Sequence, residues 1–282
     1  MIHFEGFKPL EVVTFKKNIP MKNIINLSFV LIFIASTSLA QINRIVYGSN
    51  SQAGKYASIN GIKLYYETYG SGEPLILLHG NGGSINSFSK QIPFFEKHYQ
   101  VIAIDSRLQG KSGGSPDSIS YDMMASDFCA LLDYLKIKSA NVLGWSDGGI
   151  DGIIMAMNCP KKVNRLAISG ANIVPDSTAI SYADILGMKD FVANNKTASK
   201  REIALNKMMI YQPNIPFASL KQIRCPVLVM AGDHDMIKPE HTLKIFQSIP
   251  GASFCIFPDS NHGVCQQHPK LFNETVLTFF NK

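Results

Sequence analysis

Gly144-Trp145-Ser146-Asp147-Gly148-Gly149 follows the apolar run Ala140 to Leu143 and precedes the helix-like stretch Ile150 to Cys159. The pattern predicts a serine on a sharp strand-to-helix turn, with Gly144 and Gly148 removing the side chains that would clash in so tight a bend. A nucleophile placed there stands clear of the backbone, which makes Ser146 the first candidate for chemistry. Gly-x-Ser-x-Gly alone carries little weight, because glycine and serine are common. Its position between a strand and a helix gives it meaning.

Outward from this turn, short apolar runs suit buried strands: Leu75 to Leu78, Val101 to Ile104, Asn141 to Leu143, Arg165 to Ser169, Val227 to Ala231 and Phe254 to Phe257. Helical patterns separate them, the clearest being Tyr121 to Leu135, with Met124, Phe128, Leu131, Leu132 and Leu135 at three- and four-residue spacing. This alternation predicts an α/β fold with a mostly parallel sheet covered on both faces, binding its ligand beyond the carboxyl ends of the strands. Ahead of it, Tyr56 to Tyr69 reads as two strands joined at Asn60-Gly61, a hairpin signal. The alternation lapses between residues 173 and 223, where helical segments Tyr182 to Ala193 and Lys200 to Tyr211 are flanked by Pro175, Pro213 and Pro216. This is the pattern of an inserted helical cap. Met188, Met208 and Met209 either give it an adaptable apolar underside for an acyl or aromatic group or pack it onto the body.

The chain begins with a stretch set apart from the fold. Met21-Lys22-Asn23 is a basic start, Ile24 to Ile34 is almost wholly apolar, and Ser38-Leu39-Ala40 is a small-x-small cleavage pattern ahead of Gln41. Residues 1–40 therefore read as a secretory signal peptide with Met21 as initiator, since the apolar core is nearer the ~7–15 residues of such a signal than the ~20 that span a bilayer. Secretion or export to a periplasm is the expectation, with no membrane anchor after cleavage. A polar leader, 41–54, precedes the single expected domain, 55–282.

The formal charge is +6, from 27 basic and 21 acidic side chains. The first 40 residues hold four lysines and two glutamates, which leaves 23 basic and 19 acidic side chains, a net +4. Basic residues are scattered in ones and twos without interleaved aromatics, so nucleic acid is not an expected partner. Of the five cysteines, none forms a Cys-x-x-Cys pattern. A bridge between Cys255 and Cys265 in an oxidising compartment and a set of buried thiols are both open.

A serine hydroxyl needs a base within hydrogen-bond reach, and the base needs a group to orient it. His262, in Asp259-Ser260-Asn261-His262-Gly263, follows the last expected strand and so faces the same rim as Ser146. The orienting acid belongs in Gly232-Asp233-His234-Asp235-Met236-Ile237-Lys238-Pro239, where Asp233 and Asp235 compete; Asp233 abuts the strand and also suits bracing the turn through its backbone. An oxyanion needs two donors. The N–H of Asp147 is one, and Asn81 in His79-Gly80-Asn81-Gly82-Gly83 is the other. No Walker lysine or dinucleotide glycine spacing accompanies that loop, and the expected chemistry needs neither metal nor organic cofactor.

Together these residues resemble the α/β-hydrolase family, in the chain order Ser146, Asp235, His262. The spacing Gly-x-x-Asp-x-x-x-Pro is similar to that at the family's catalytic acid, which selects Asp235. Asp105-Ser106-Arg107-Leu108-Gln109-Gly110-Lys111-Ser112 is similar to the family's Asp-x-Arg-Gly-x-Gly-x-Ser loop, with Leu108 in place of glycine. The resemblance implies an eight-stranded sheet with a small helical cap, and a serine hydrolase acting on a carboxylic ester or related small acyl substrate. Gly144 to Ile150 and Gly170-Ala171-Asn172 also resemble the valacyclovir hydrolase group, which implies Asp147 as a holder of a substrate ammonium, with Trp145 beside it at the substrate. A carboxylate at a helix N-terminus is equally stabilised with no ligand, by ~0.3–1 kcal/mol. Cofactor-free perhydrolysis by the same triad, and a non-catalytic small-ligand binder on the same fold, are the alternatives.

Overall fold

In the computed structural model, Asn60 and Gly61 turn the chain with φ of 44° and 80°, the paired positive values of a two-residue hairpin whose twist matches its strands. The structure describes residues 45–282; the expected signal peptide, the start at Met21 and residues 41–44 of the leader lie outside the described residues. The turn joins β1 (Gly54–Ile59) to β2 (Ile62–Tyr69), and six further strands follow: β3 (Pro74–Leu78), β4 (Gln100–Ile104), β5 (Ala140–Trp145), β6 (Val163–Ser169), β7 (Val227–Gly232) and β8 (Ser253–Phe257). They form one eight-stranded sheet in the order β1-β2-β4-β3-β5-β6-β7-β8. β2 runs antiparallel to β1 and β4, and every other pairing is parallel.

The helices are α1 (Tyr121–Tyr134), α2 (Asp147–Asn158), α3 (Tyr182–Asn194), α4 (Lys200–Tyr211), α5 (Pro239–Ser248) and α6 (Pro269–Phe280), with shorter turns between. Serine starts three of them: Ser120, Ser181 and Ser199 each accept an N–H from the first turn, and Glu202 completes a capping box with Ser199. The central strands are buried on both faces, as their unbroken apolar runs require. Ile76, Leu78, Ile102 and Ile104 join Phe128, Leu131 and Ile153 on the face of α1 and α2. Leu75, Leu77, Val101 and Ala103 join Phe272 and Val276 of α6 on the other.

α3 and α4 lie between β6 and β7 and are held unequally. α4 buries Ala204, Leu205, Met208 and Ile210, whereas α3 buries Ile185 alone. The methionines divide accordingly: Met208 packs in the core, while Met188 and Met209 line a cavity above Ser146. The cysteines differ from the pairing considered from sequence. Cys129 of α1 bridges Cys159 at the end of α2, with Cα atoms 6.8 Å apart, and Cys225, Cys255 and Cys265 are free. The bridge forms because α1 and α2 pack side by side, an adjacency that spacing alone does not reveal. No helix among the described residues is long and apolar enough to cross a membrane.

Candidate active site

β5 ends at Trp145 and α2 begins at Asp147, so the whole reversal falls on Ser146, held at φ 57° and ψ −120°. Such a conformation persists only where its surroundings enforce it. A Cβ on Gly144 would overlap the Gly148 carbonyl, and one on Gly148 would overlap the Leu78 carbonyl of β3. The two glycines therefore allow α2 to start against the sheet, with the serine lifted at its rim.

Ser146 Oγ lies 2.9 Å from His262 Nε2, and His262 Nδ1 lies 2.7 Å from Asp235 Oδ1. The Asp235 side chain is fully buried, while the imidazole is 22% exposed. Asp235 also accepts the Ile237 N–H at 2.9 Å, which fixes its carboxylate. Asp233 takes the other role considered for it: it accepts the N–H groups of Asp259 and Ser260 at 3.1 and 2.9 Å and pins the loop that carries His262. Those bonds hold the Asp233 carboxyl below its ordinary pKa, the Ser260 N–H first among the causes. With Ser146 read as a nucleophile and His262 as its base, Asp235→Asn is expected to lower hydrolytic turnover by about 10⁴-fold, as an amide leaves the imidazole in the wrong tautomer. Asp233→Asn is expected to cost less than about tenfold, since Asn Oδ1 still accepts a backbone N–H. Steady-state rates of the two variants check the assignment, and the reverse ranking contradicts it.

The loop after β3 is braced by His79 and Gln109. His79 is buried; its Nε2 accepts the Ser106 N–H at 3.0 Å and its Nδ1 donates to the Gly80 carbonyl at 2.7 Å. Burial lowers its pKa to about 4, so it is a neutral strut rather than a base. Gln109 Oε1 accepts the Gly82 N–H at 2.7 Å. Gln109 belongs to the 105–112 loop, where Leu108 takes a left-handed φ of 62° at the position the family pattern gives to glycine. Asp105 anchors that loop by accepting the N–H groups of Ile85 and Lys111, and Arg107 pairs with buried Asp127 through two bonds of 2.7 Å. Among the described residues, the N–H groups of Asn81 and Asp147 have no hydrogen-bond acceptor.

Two expected site residues stand in roles of their own. Trp145, expected at the substrate, is not among the side chains lining the cavity. Odd positions of β5 face α6, with Leu143 and Trp145 on that side, and the Trp145 indole donates to the His262 carbonyl at 2.8 Å. The structure thus places its indole against the loop that carries His262. Asp147 does line the cavity, with Ser146, His262, Tyr121, Asn172, Met188 and Met209 among its neighbours, but it is 4% exposed. Its Oδ2 accepts from Asn81 Nδ2 at 2.8 Å and its Oδ1 from the Tyr121 hydroxyl at 2.9 Å. Burial raises its pKa to about 6, against the opposing pull of those two donors and of His262. Tyr121 had only a helix-start role in the sequence. Its bond to Asp147 crosses 26 positions and comes from the packing of α1 on α2, so no local signal announces it.

The fold and this site define the class: the chain has the α/β-hydrolase fold, and a family model described as alpha/beta hydrolase fold matches residues 73–201. Over 256 residues it is 26% identical to the serine hydrolase BPHL of Homo sapiens, covering 83% of this chain and 88% of that protein. It is also 26% identical over 268 residues to the 2-hydroxy-6-oxononadienedioate/2-hydroxy-6-oxononatrienedioate hydrolase of Paraburkholderia phymatum, covering 78% and 92%. Among solved structures, the enol-lactonase of Burkholderia xenovorans LB400 superposes with a TM-score of 0.71 at 21% identity, covering 81% of this chain and all of that one, a likeness of fold.

Proposed function

We propose that this protein is a serine hydrolase that cleaves a carboxylic ester or related small acyl substrate through an acyl-enzyme. The observation that carries the reading is the unbroken chain from Ser146 Oγ through His262 to Asp235, with separations of 2.9 and 2.7 Å. His262 takes the serine proton as Ser146 attacks the acyl carbon and returns it to the leaving alcohol. Asp235 steadies the imidazolium, and the N–H groups of Asn81 and Asp147 receive the oxyanion. Water activated by His262 then releases the acid and restores the serine.

The cavity over Ser146 is small, about 50 Å³, and its wall of Ile180, Met188, Met209, Met236 and Ile237 is apolar. It suits a short or flexible acyl group, with room gained at α3, the helix held by one buried side chain. Esters of α-amino acids are the second reading, since Asp147 places a carboxyl group on the same wall. Export to an oxidising compartment is part of the proposal, and the Cys129–Cys159 bridge supports it, because structural disulfides persist there. Rapid mixing with p-nitrophenyl acetate and butyrate tests the reaction. The expected record is a burst of p-nitrophenol stoichiometric with enzyme and then a slower steady phase, as acylation outpaces deacylation. Release no faster than in buffer would contradict it.

A further inference from the structure

The two residues whose N–H groups are assigned to the oxyanion in the proposed mechanism are also joined to each other by a side-chain bond. Asn81 Nδ2 donates to Asp147 Oδ2 at 2.8 Å, across 66 positions of sequence, and among the described residues no other side-chain bond holds Asn81. From the opposite side, the Tyr121 hydroxyl donates to Asp147 Oδ1 at 2.9 Å. Tyr121 is buried at the first position of α1, and α1 is packed on α2 and bridged to its far end by Cys129–Cys159. The Asp147 carboxyl group therefore spans from a fixed helix to the loop after β3. Gln109 and His79 brace that loop at Gly82 and at Gly80, on either side of Asn81, but not at Asn81 itself.

We propose that the Asp147 side chain is a positioning group for the oxyanion site: it ties Asn81 to α2 and so sets the separation of the two N–H donors. Each of its oxygens already has a donor, and the residue is 4% exposed. A holder of a substrate ammonium would take it as a further donor beside these two. The distinction turns on what the side chain must supply. An ammonium ligand needs negative charge, whereas the tie needs only an acceptor toward Asn81 and a partner for the tyrosine hydroxyl. Asparagine supplies both, because its Oδ1 accepts from Asn81 and its Nδ2 donates to the phenol oxygen, which serves as donor or acceptor.

The inference rests on Ser146 as nucleophile, and the test keeps the two apart. Wild type, Asp147→Ala, Asp147→Asn and Asn81→Ala are compared by the second-order rate of labelling with a fluorophosphonate probe. The same proteins are assayed for kcat and KM on the benzyl esters of alanine and propionic acid, a pair that differs by the amine. Asp147→Ala is expected to slow labelling and lower kcat for both esters by about 10- to 100-fold, the range of one weakened oxyanion donor, with KM changed by less than about threefold. Asn81→Ala keeps the backbone donor and alters only the loop side of the tie, so it reads the same loss without touching α2. Asp147→Asn is expected to return both rates to within about fivefold of wild type, since the hydrogen bonds are retained. A loss confined to KM for the alanine ester in Asp147→Asn would overturn the proposal in favour of an ammonium ligand. Unchanged labelling in both Asp147→Ala and Asn81→Ala would overturn it outright. A wild-type protein that takes no label would instead remove the nucleophile on which the inference stands, and the inference with it.

Discussion

Replacing Ser146 with alanine is expected to lower kcat for p-nitrophenyl acetate by about 10⁴- to 10⁶-fold, the loss seen when the nucleophile of such a triad is removed. The size follows from the division of labour in the proposed mechanism. His262 and Asp235 act only through the serine oxygen, so removing the oxygen idles all three. The N–H groups of Asn81 and Asp147 remain and continue to polarise a bound carbonyl, which leaves a residual rate above that of water. The fold should be indifferent, because the strained backbone at residue 146 is imposed by Gly144, Gly148 and the start of α2, not by the hydroxyl. Thermal unfolding within about 2 °C of wild type, together with the lost turnover, is the expected pair of measurements, as a surface-rim substitution of this kind usually changes stability little.

The largest expected effect on stability belongs to a residue outside the mechanism. Asp151 lies one turn beyond Asp147 in α2, is fully buried, and has no hydrogen-bond partner on either carboxyl oxygen among the described residues. Burial drives its pKa well above the carboxylate range, and the neighbouring charges of Asp147, Asp127 and Asp122 drive it further. The native state therefore keeps a proton that the unfolded chain releases. As pH rises above the ordinary aspartate value, the unfolded chain binds fewer protons than the folded one. Stability then falls by up to about 1.4 kcal/mol per pH unit until the raised pKa is reached. Asp151→Asn has no proton to lose and keeps nearly the same shape. Urea unfolding from pH 5 to pH 8 is expected to show the variant gaining on wild type by that slope, with the two closest at the acid end. Parallel curves would contradict the account. Asp147, raised to about 6, contributes in the same direction at lower pH but is present in both proteins, so the difference isolates Asp151.

What the sequence disclosed and what it withheld follow from the range of the interactions involved. Strands such as Leu75 to Leu78 and Val227 to Ala231 were legible because a strand buried on both faces must be apolar throughout. The helices of the inserted segment were legible from the proline-flanked helical stretches, and the structure adds the caps Ser181 and Ser199. Ser146, Asp235 and His262 are candidates from sequence because each follows a strand and stands at one rim, and the structure brings all three within hydrogen-bond distance. Asp233 and Asp235 could not be parted by position alone; the distinction depends on which one the His262 loop meets. Trp145 packs beside Leu143 and donates to the His262 loop because strand alternation, not nearness to the serine in sequence, decides which way its ring faces. Tyr121, Gln109 and the Cys129–Cys159 bridge were withheld for one reason. Each acts between segments far apart in sequence, whose contact is settled by tertiary packing rather than by local pattern.

The central claim is that Ser146 is an activated nucleophile. Intact-mass analysis after incubation with a fluorophosphonate probe tests it most directly, followed by peptide mapping of the adduct. The account predicts a single adduct per chain, located on Ser146, absent from Ser146→Ala and slowed severely in His262→Ala. An unlabelled wild-type protein, or an adduct on any other residue, would contradict it.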